Sequence, residues 1–109
     1  MGIAEIRKRV QGVRRRLREL DIDGLLVTGA ENVRYLTGFR GHDSWALVLR
    51  RSVLLVTDSR YTEQAEGECL GCRIIQRKGR MVSAAADLLR RRSVRRVGVE
   101  DQCSAALMK

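Results

Sequence analysis

Proline is missing altogether from the 109 residues, and rings are scarce: one Phe, one Trp and two Tyr make up 4% of the chain. Without proline, and without a run of serine or glycine, the sequence offers no linker and no internal boundary. It therefore reads as one domain, in keeping with the roughly 100 to 200 residues of a typical unit. A domain of this size buries about two-thirds of its unfolded surface, enough for a modest core. The rarity of rings also excludes a stacking platform for single-stranded nucleic acid, in which aromatics interleave with basic side chains. No apolar run is long enough to span a bilayer, and the mean hydropathy is -0.26. The opening "MGIAEIRKRV" is charged with no apolar segment after it, and its glutamate argues against a transit peptide. Ile6 stands where a myristoylation signal wants Ser or Thr. The expectation is a cytoplasmic chain.

Metal and redox chemistry are also poorly supplied. The only histidine is His42, and the cysteines are Cys69, Cys72 and Cys103. "CLGC" has the spacing of half a zinc site but no second pair to complete it. A redox CxxC opens a helix after a strand, whereas Cys72 runs straight into the apolar "RIIQ". One loop thiol and one packed strand thiol is the better reading. Nucleotide binding lacks its glycines: after "LLVTG" the chain continues Ala30-Glu31-Asn32-Val33-Arg34, and Glu31 would repel a phosphate at that helix start.

What is abundant is arginine. Lys and Arg number 22 against 13 Asp and Glu, a formal charge of +9. The clusters Arg14-Arg15-Arg16, Arg50-Arg51, Arg90-Arg91-Arg92 and Arg95-Arg96 read as solvated faces and ends of helices and strands. The alternative is a footprint for phosphates or an acidic partner. Nucleic-acid binding is not expected, and any that occurs should be nonspecific.

Periodicity supplies the architecture. Ile3, Ile6, Val10, Val13, Leu17 and Leu20 recur at spacings of three and four, placing one apolar stripe on a helix over about 3 to 20. "LLVT" (25 to 28) reads as a strand buried on both faces. "WALVLR" (45 to 50) and "VLLVTD" (53 to 58) read as an antiparallel hairpin. Asp58 or Ser59 is expected to cap a helix carrying Tyr61, Gln64 and Ala65 and ending near Gly67. "CRIIQ" (72 to 76) is a strand, "MVSAAADLLRRR" (81 to 92) a helix, "RVGVE" (96 to 100) a strand, and "SAALMK" the start of a further helix. The order predicts an α/β fold, a mixed sheet with flanking helices.

Half of the rings fall in "ENVRYLTGF" (31 to 39). Asn32 tolerates a turn and Val33 and Leu36 can face the sheet. Tyr35 can bury its ring while its hydroxyl finds a partner, and Gly38 can end the turn in a left-handed conformation. The rings thus read as holding a corner. The polar "FRGHDSW" after it, with the only His and the only Trp, is the kind of loop on which function tends to sit.

"DGLLVTGAENVRYLTGF", a hairpin, "LLVTDSRYTEQA" and "VGVED" together resemble the N-terminal domain of the creatinase, prolidase and Xaa-Pro aminopeptidase family. The match covers most of the chain, in the same order. The resemblance implies a ribonuclease-H-like fold that precedes a larger catalytic "pita-bread" domain, with two divalent ions (Mn, Co or Zn) held there by two Asp, one His and two Glu. By it, residues 1–109 form the noncatalytic domain, short of its last helix and strand and without the catalytic domain, and the isolated chain is no enzyme and holds no cofactor. The implied roles are homo-oligomerisation, as a dimer or tetramer, and control of substrate access by a loop, with peptide substrate met only in company with the catalytic domain. By position, that loop comprises Phe39, Arg40, His42, Asp43 and Trp45. Asn32, Tyr35, Gly38, Asp58, Arg60 and Tyr61 match the structural motif, Arg60 and Tyr61 as a helix start packed on the sheet. A different class of reading is a noncatalytic basic module resembling a histone-chaperone subunit or binding nucleic acid.

Overall fold

The computed structural model describes residues 2–100, and the expected helix in "SAALMK" lies outside them. The elements are α1 (Ile3–Glu19), β1 (Gly24–Val27), α2 (Ala30–Thr37), β2 (Trp45–Leu49), β3 (Val53–Thr57), α3 (Thr62–Glu68), β4 (Arg73–Gln76), α4 (Met81–Arg91) and β5 (Val97–Val99). The strands form one mixed sheet in the order β4-β3-β2-β1-β5. Its centre is antiparallel, with Leu25 opposite Val48 and Ala46 opposite Leu55. The flanking pairs β3–β4 and β1–β5 are parallel. Strands β1, β3, β4 and β5 therefore end at the same edge of the sheet, where β2 begins.

Each layer follows from the apolar pattern. The α1 stripe buries Ile6, Val10, Val13 and Leu17 against one face of the sheet, while Ile3 and Leu20 at the helix ends stay exposed, at 40% and 45%. The expected stripe is thus two residues shorter, because a straight helix runs past the rim of a small sheet. Val33 and Leu36 of α2 and Ala65 of α3 complete that layer over Leu25, Val27, Ala46, Val48 and Leu55. The opposite face, with Leu47, Leu49, Leu54 and Val56, packs on α4 through Ala84, Leu88 and Leu89. All five residues of β3 are buried, so it reads as a continuous apolar run.

The segment expected to be a corner is a helix of two turns, α2, which closes at Gly38. Gly38 has φ 85°, and a Cβ there would strike the carbonyl oxygen of Glu68 at 2.9 Å. Left-handed geometry and close approach both select glycine.

Candidate functional site

The edge where β1, β3, β4 and β5 end is where open α/β sheets place ligands. Here it carries the polar loop 40–45 and the turn after β3. The loop is fastened at its base. Thr37 closes back on α2 by donating its hydroxyl to Val33 O at 2.7 Å, and its Oγ1 accepts the Phe39 N–H at 3.0 Å. Phe39 is wholly buried. It meets the ring of Tyr61 edge-on, with centroids 6.1 Å apart and planes at 82°. A Cβ on Gly41 would collide with the Phe39 ring, so the loop backbone lies directly on it. Farther along, Arg40 N–H donates to Glu68 Oε1 at 2.8 Å. The buried Ser44 hydroxyl shares a hydrogen bond of 2.8 Å with that of Thr57, joining the loop's far end to β3.

The turn after β3 is an ionic knot. Arg60 grips Asp58 with Nε on Oδ1 at 3.0 Å and Nη2 on Oδ2 at 2.8 Å. Asp58 Oδ1 also accepts the Arg60 backbone N–H at 2.9 Å, and Arg77 reaches Oδ2 at 3.3 Å. Arg60 Nη2 extends to Asp43 of the loop at 3.3 Å. Hydrogen bonding from the Arg60 guanidinium, helped by its charge and that of Arg77, holds the Asp58 carboxyl down to about 2, against desolvation that pushes the other way. Asp58 raises the Arg60 pKa in return.

The expected loop residues divide. Arg40, His42 and Asp43 are exposed, Asp43 in a left-handed conformation with φ 52°. Phe39 is not a loop-surface residue at all: its ring is in the core, because the chain turns inward immediately after Gly38. Trp45 is half-buried as the first residue of β2, opposite Val56. Tyr35 is only half-buried, and its ring lies under the Arg9 guanidinium at 4.3 Å. The expected cap on α3 is also different. Asp58 closes a turn in which its carbonyl accepts the Tyr61 N–H at 3.0 Å, and the helix starts only after Tyr61. Arg60 is accordingly not packed on the sheet, and its side chain is 61% exposed. Asn32 sits in the first turn of α2 and donates to Glu100 Oε2 at 2.6 Å.

Glu100, Gly41 and the Ser44–Thr57 pair escaped the sequence reading. Glu100 Oε1 accepts the backbone N–H groups of Thr28 and Gly29 at the start of α2. The signal was a strand, glycine and helix start that draws an anion. What the sequence hides is that β5 lies beside β1. Among the described residues no three His, Cys, Asp or Glu side chains are grouped so as to hold a metal ion. Cys69 and Cys72 are half-buried and hydrogen-bonded to each other, which raises the Cys69 thiol and lowers that of Cys72. Arg40, His42 and Asp43 are left exposed at this edge, on a loop fastened to the core.

Comparison with known proteins gives the relatives of this arrangement. The family model for the creatinase/prolidase N-terminal domain matches residues 9–109. The peptidase YqhT of Bacillus subtilis (strain 168), described as uncharacterized, is 39% identical over 82 residues, or 75% of this chain and 23% of that protein. Among solved structures, an Xaa-Pro dipeptidase from Bacillus anthracis superposes with a TM-score of 0.83 at 26% identity, covering 95% of this chain and 30% of that one. An Xaa-Pro aminopeptidase from Streptococcus pyogenes gives 0.82 at 33% identity, covering 94% of this chain and 79% of that one. The chain thus spans less than a third of the peptidase YqhT and of the dipeptidase. Among the described residues no helix is long and apolar enough to cross a membrane.

Proposed function

The chain belongs to the creatinase/prolidase N-terminal domain family, and from that premise we propose that it is the noncatalytic N-terminal domain of a metal-dependent Xaa-Pro aminopeptidase or Xaa-Pro dipeptidase. In this reading it serves oligomerisation and shapes substrate access in a cytoplasmic enzyme. The single observation that carries the access role is the fastened loop: Phe39 in the core, Ser44 tied to Thr57 and Asp43 tied to Arg60, with Arg40 and His42 left facing solvent. A loop that must limit what enters a neighbouring site has to be held, since an unanchored one would yield to any substrate.

The two divalent ions this reading calls for do not fit the described residues of this chain. Among the described residues, the carboxylates that converge at the candidate edge, Asp43 with Asp58, are already paired with Arg60. A two-metal site needs convergent carboxylates free to bridge ions about 4 Å apart. The ions and the hydrolysis belong to a further domain, and no step of the reaction is assigned to residues 1–109.

The test uses the polypeptide that carries the catalytic domain. Arg40→Ala and His42→Ala should alter the ratio of kcat/KM for long against short Xaa-Pro peptides while leaving metal content unchanged. Identical ratios for wild type and both variants would refute the access role. A coding sequence that continues past Lys109 without two Asp, one His and two Glu in metal-binding order would refute the peptidase assignment itself.

A further inference from the structure

The arginines that look scattered in the sequence meet at the end of the sheet opposite the candidate site. The β2–β3 turn brings Arg50 and Arg51 there, the second half of α1 brings Arg14 and Arg18, and the α4–β5 connection brings Arg92 and Arg95. Three adjoining clefts share these side chains. One of about 460 Å³ is lined by Arg50, Arg51, Ser52, Arg92 and Arg95. A second of about 310 Å³ holds Arg14, Arg18 and Arg50, and a third of about 280 Å³ holds Arg7, Arg14 and Arg51. Together the linings contain seven arginines and two aspartates.

Both aspartates are spoken for. Asp23 accepts the backbone N–H groups of Arg95 and Arg96, each at 3.1 Å, and pairs with Arg50. Asp21 pairs with Arg96 at 2.8 Å. Arg14 is steadied by donating Nε to Leu49 O at 2.7 Å, and Arg92 reaches Ser52 Oγ at 3.4 Å. The exposed guanidiniums of Arg18, Arg51 and Arg95 have no carboxylate partner among the described residues. The contrast with the other edge is direct, since Arg60 and Arg77 there are both engaged by Asp58.

We propose that this end of the domain is a docking surface for the phosphate backbone of a double-stranded nucleic acid, bound without sequence preference. Planar guanidinium forks suit phosphate oxygens. The apolar side chains that line the clefts are buried (Ile6, Val10, Leu17, Leu49, Val53) or half-buried (Ile22, Leu70, Val94), so an acidic protein would find little exposed apolar surface on which to seat the anchors that give protein interfaces their affinity. Counterion release on neutralising phosphates needs no such anchor. A duplex rather than a single strand follows from the clefts themselves, which contain no ring on which a base would stack.

The experiment is fluorescence anisotropy of two labelled DNA duplexes of unrelated sequence, titrated with the full chain between about 50 and 200 mM salt. Both duplexes should bind alike, and the slope of log affinity against log salt should fall by about two for the Arg51→Gln, Arg95→Gln double variant, at about 0.9 per phosphate contact. Arg18→Gln with Arg51→Gln should do the same. Arg34→Gln with Arg80→Gln removes equal charge away from the clefts and should leave the slope within about half a unit, with thermal melts confirming folding of every variant. Equal loss in all three double variants, a preference between duplexes, or displacement of the duplex by polyglutamate at equal charge concentration would overturn the proposal.

Discussion

Replacing Phe39 with alanine is the sharpest test of how the loop is held. The ring is fully excluded from solvent, and a buried phenylalanine removes about 150 to 250 Å² from water. At about 25 cal/mol per Å² this is about 4 to 6 kcal/mol, of which alanine keeps a part and the unfolded chain already hides a part. Against that reduction stands the edge-on contact with Tyr61, worth about 0.5 to 1.5 kcal/mol beyond area. Gly41 cannot fill the gap, because only backbone faces the ring there. The balance is a loss of about 3 to 5 kcal/mol, a large share of the stability of a small domain. In urea, with a slope of about 1 to 3 kcal/mol per M, the midpoint should move by more than about 1 M. His42→Ala, at an exposed position, should stay within about 0.5 kcal/mol of wild type. Tyr35→Ala should fall between the two, since its ring is only half-buried. A Phe39→Ala loss below about 1 kcal/mol, or one equal to that of His42→Ala, would show that the loop's footing lies elsewhere.

Four other outcomes are expected. Asp58, ionised more readily in the folded state than its ordinary value of about 3.9, stabilises above that value, and this stability is lost as pH falls through about 2. Asp58→Asn should flatten the stability–pH curve over that window, and an unchanged acid limb would contradict the Arg60 grip. Glu100→Ala should cost about 1.5 to 3 kcal/mol by stripping a carboxylate from Thr28, Gly29 and Asn32, with Glu100→Gln milder; urea curves decide it. Iodoacetamide followed by mass spectrometry should label Cys72 ahead of Cys69, because the interaction between the two thiols lowers the Cys72 pKa and raises that of Cys69; preferential labelling of Cys69 would contradict that order. Purified residues 1–109 should release no amino acid from Xaa-Pro peptides with added manganese, cobalt or zinc, and turnover that co-purifies with the chain would refute the noncatalytic reading.

What the sequence disclosed depended on how far apart the interacting residues lie. The α1 stripe, the unbroken apolar β1 and β3 and the short β2–β3 connection are local patterns, and each appears in the structure within a residue or two of the expected bounds. In sequence the helix α2 reads as a corner, because Gly29, Asn32 and Gly38 are turn residues. They serve instead as its start, its first-turn tether and its stop. "NVRYLTGF" and "TDSRY" were legible as motifs but not as neighbours. Their contact, Phe39 on Tyr61, needs the pairing of β2 with β3 to be known. The arginine clusters needed the strand order as well, since Arg95 reaches the β2–β3 turn only because β5 sits outside β1.

Glu100 ties these long-range consequences together. A helix start carries partial positive charge and unpaired N–H groups, and in a nucleotide-binding fold a phosphate supplies the complement. Here β5 runs parallel to β1 and ends beside it, with Glu100 N–H donating to Leu26 O at 2.9 Å. Its carboxylate is thereby set on the N–H groups of Thr28 and Gly29 and on the Asn32 amide. The missing glycines are then only part of why no nucleotide belongs there: a Cβ at Gly29 would meet Glu100 Oε1 at 2.8 Å, so the space a phosphate would need is taken by a side chain. The same contact places the stability of α2 under the control of a residue 68 positions beyond Asn32. Because α2 ends at Gly38 and delivers Phe39 into the core, loosening Glu100 should loosen the loop from Arg40 to Trp45 at the opposite end of the helix. Faster amide exchange across that loop in Glu100→Ala, with α1 and α4 unchanged, is the expected signature. Uniform acceleration throughout the domain would mean that Glu100 supports the fold as a whole and not the helix that carries the loop.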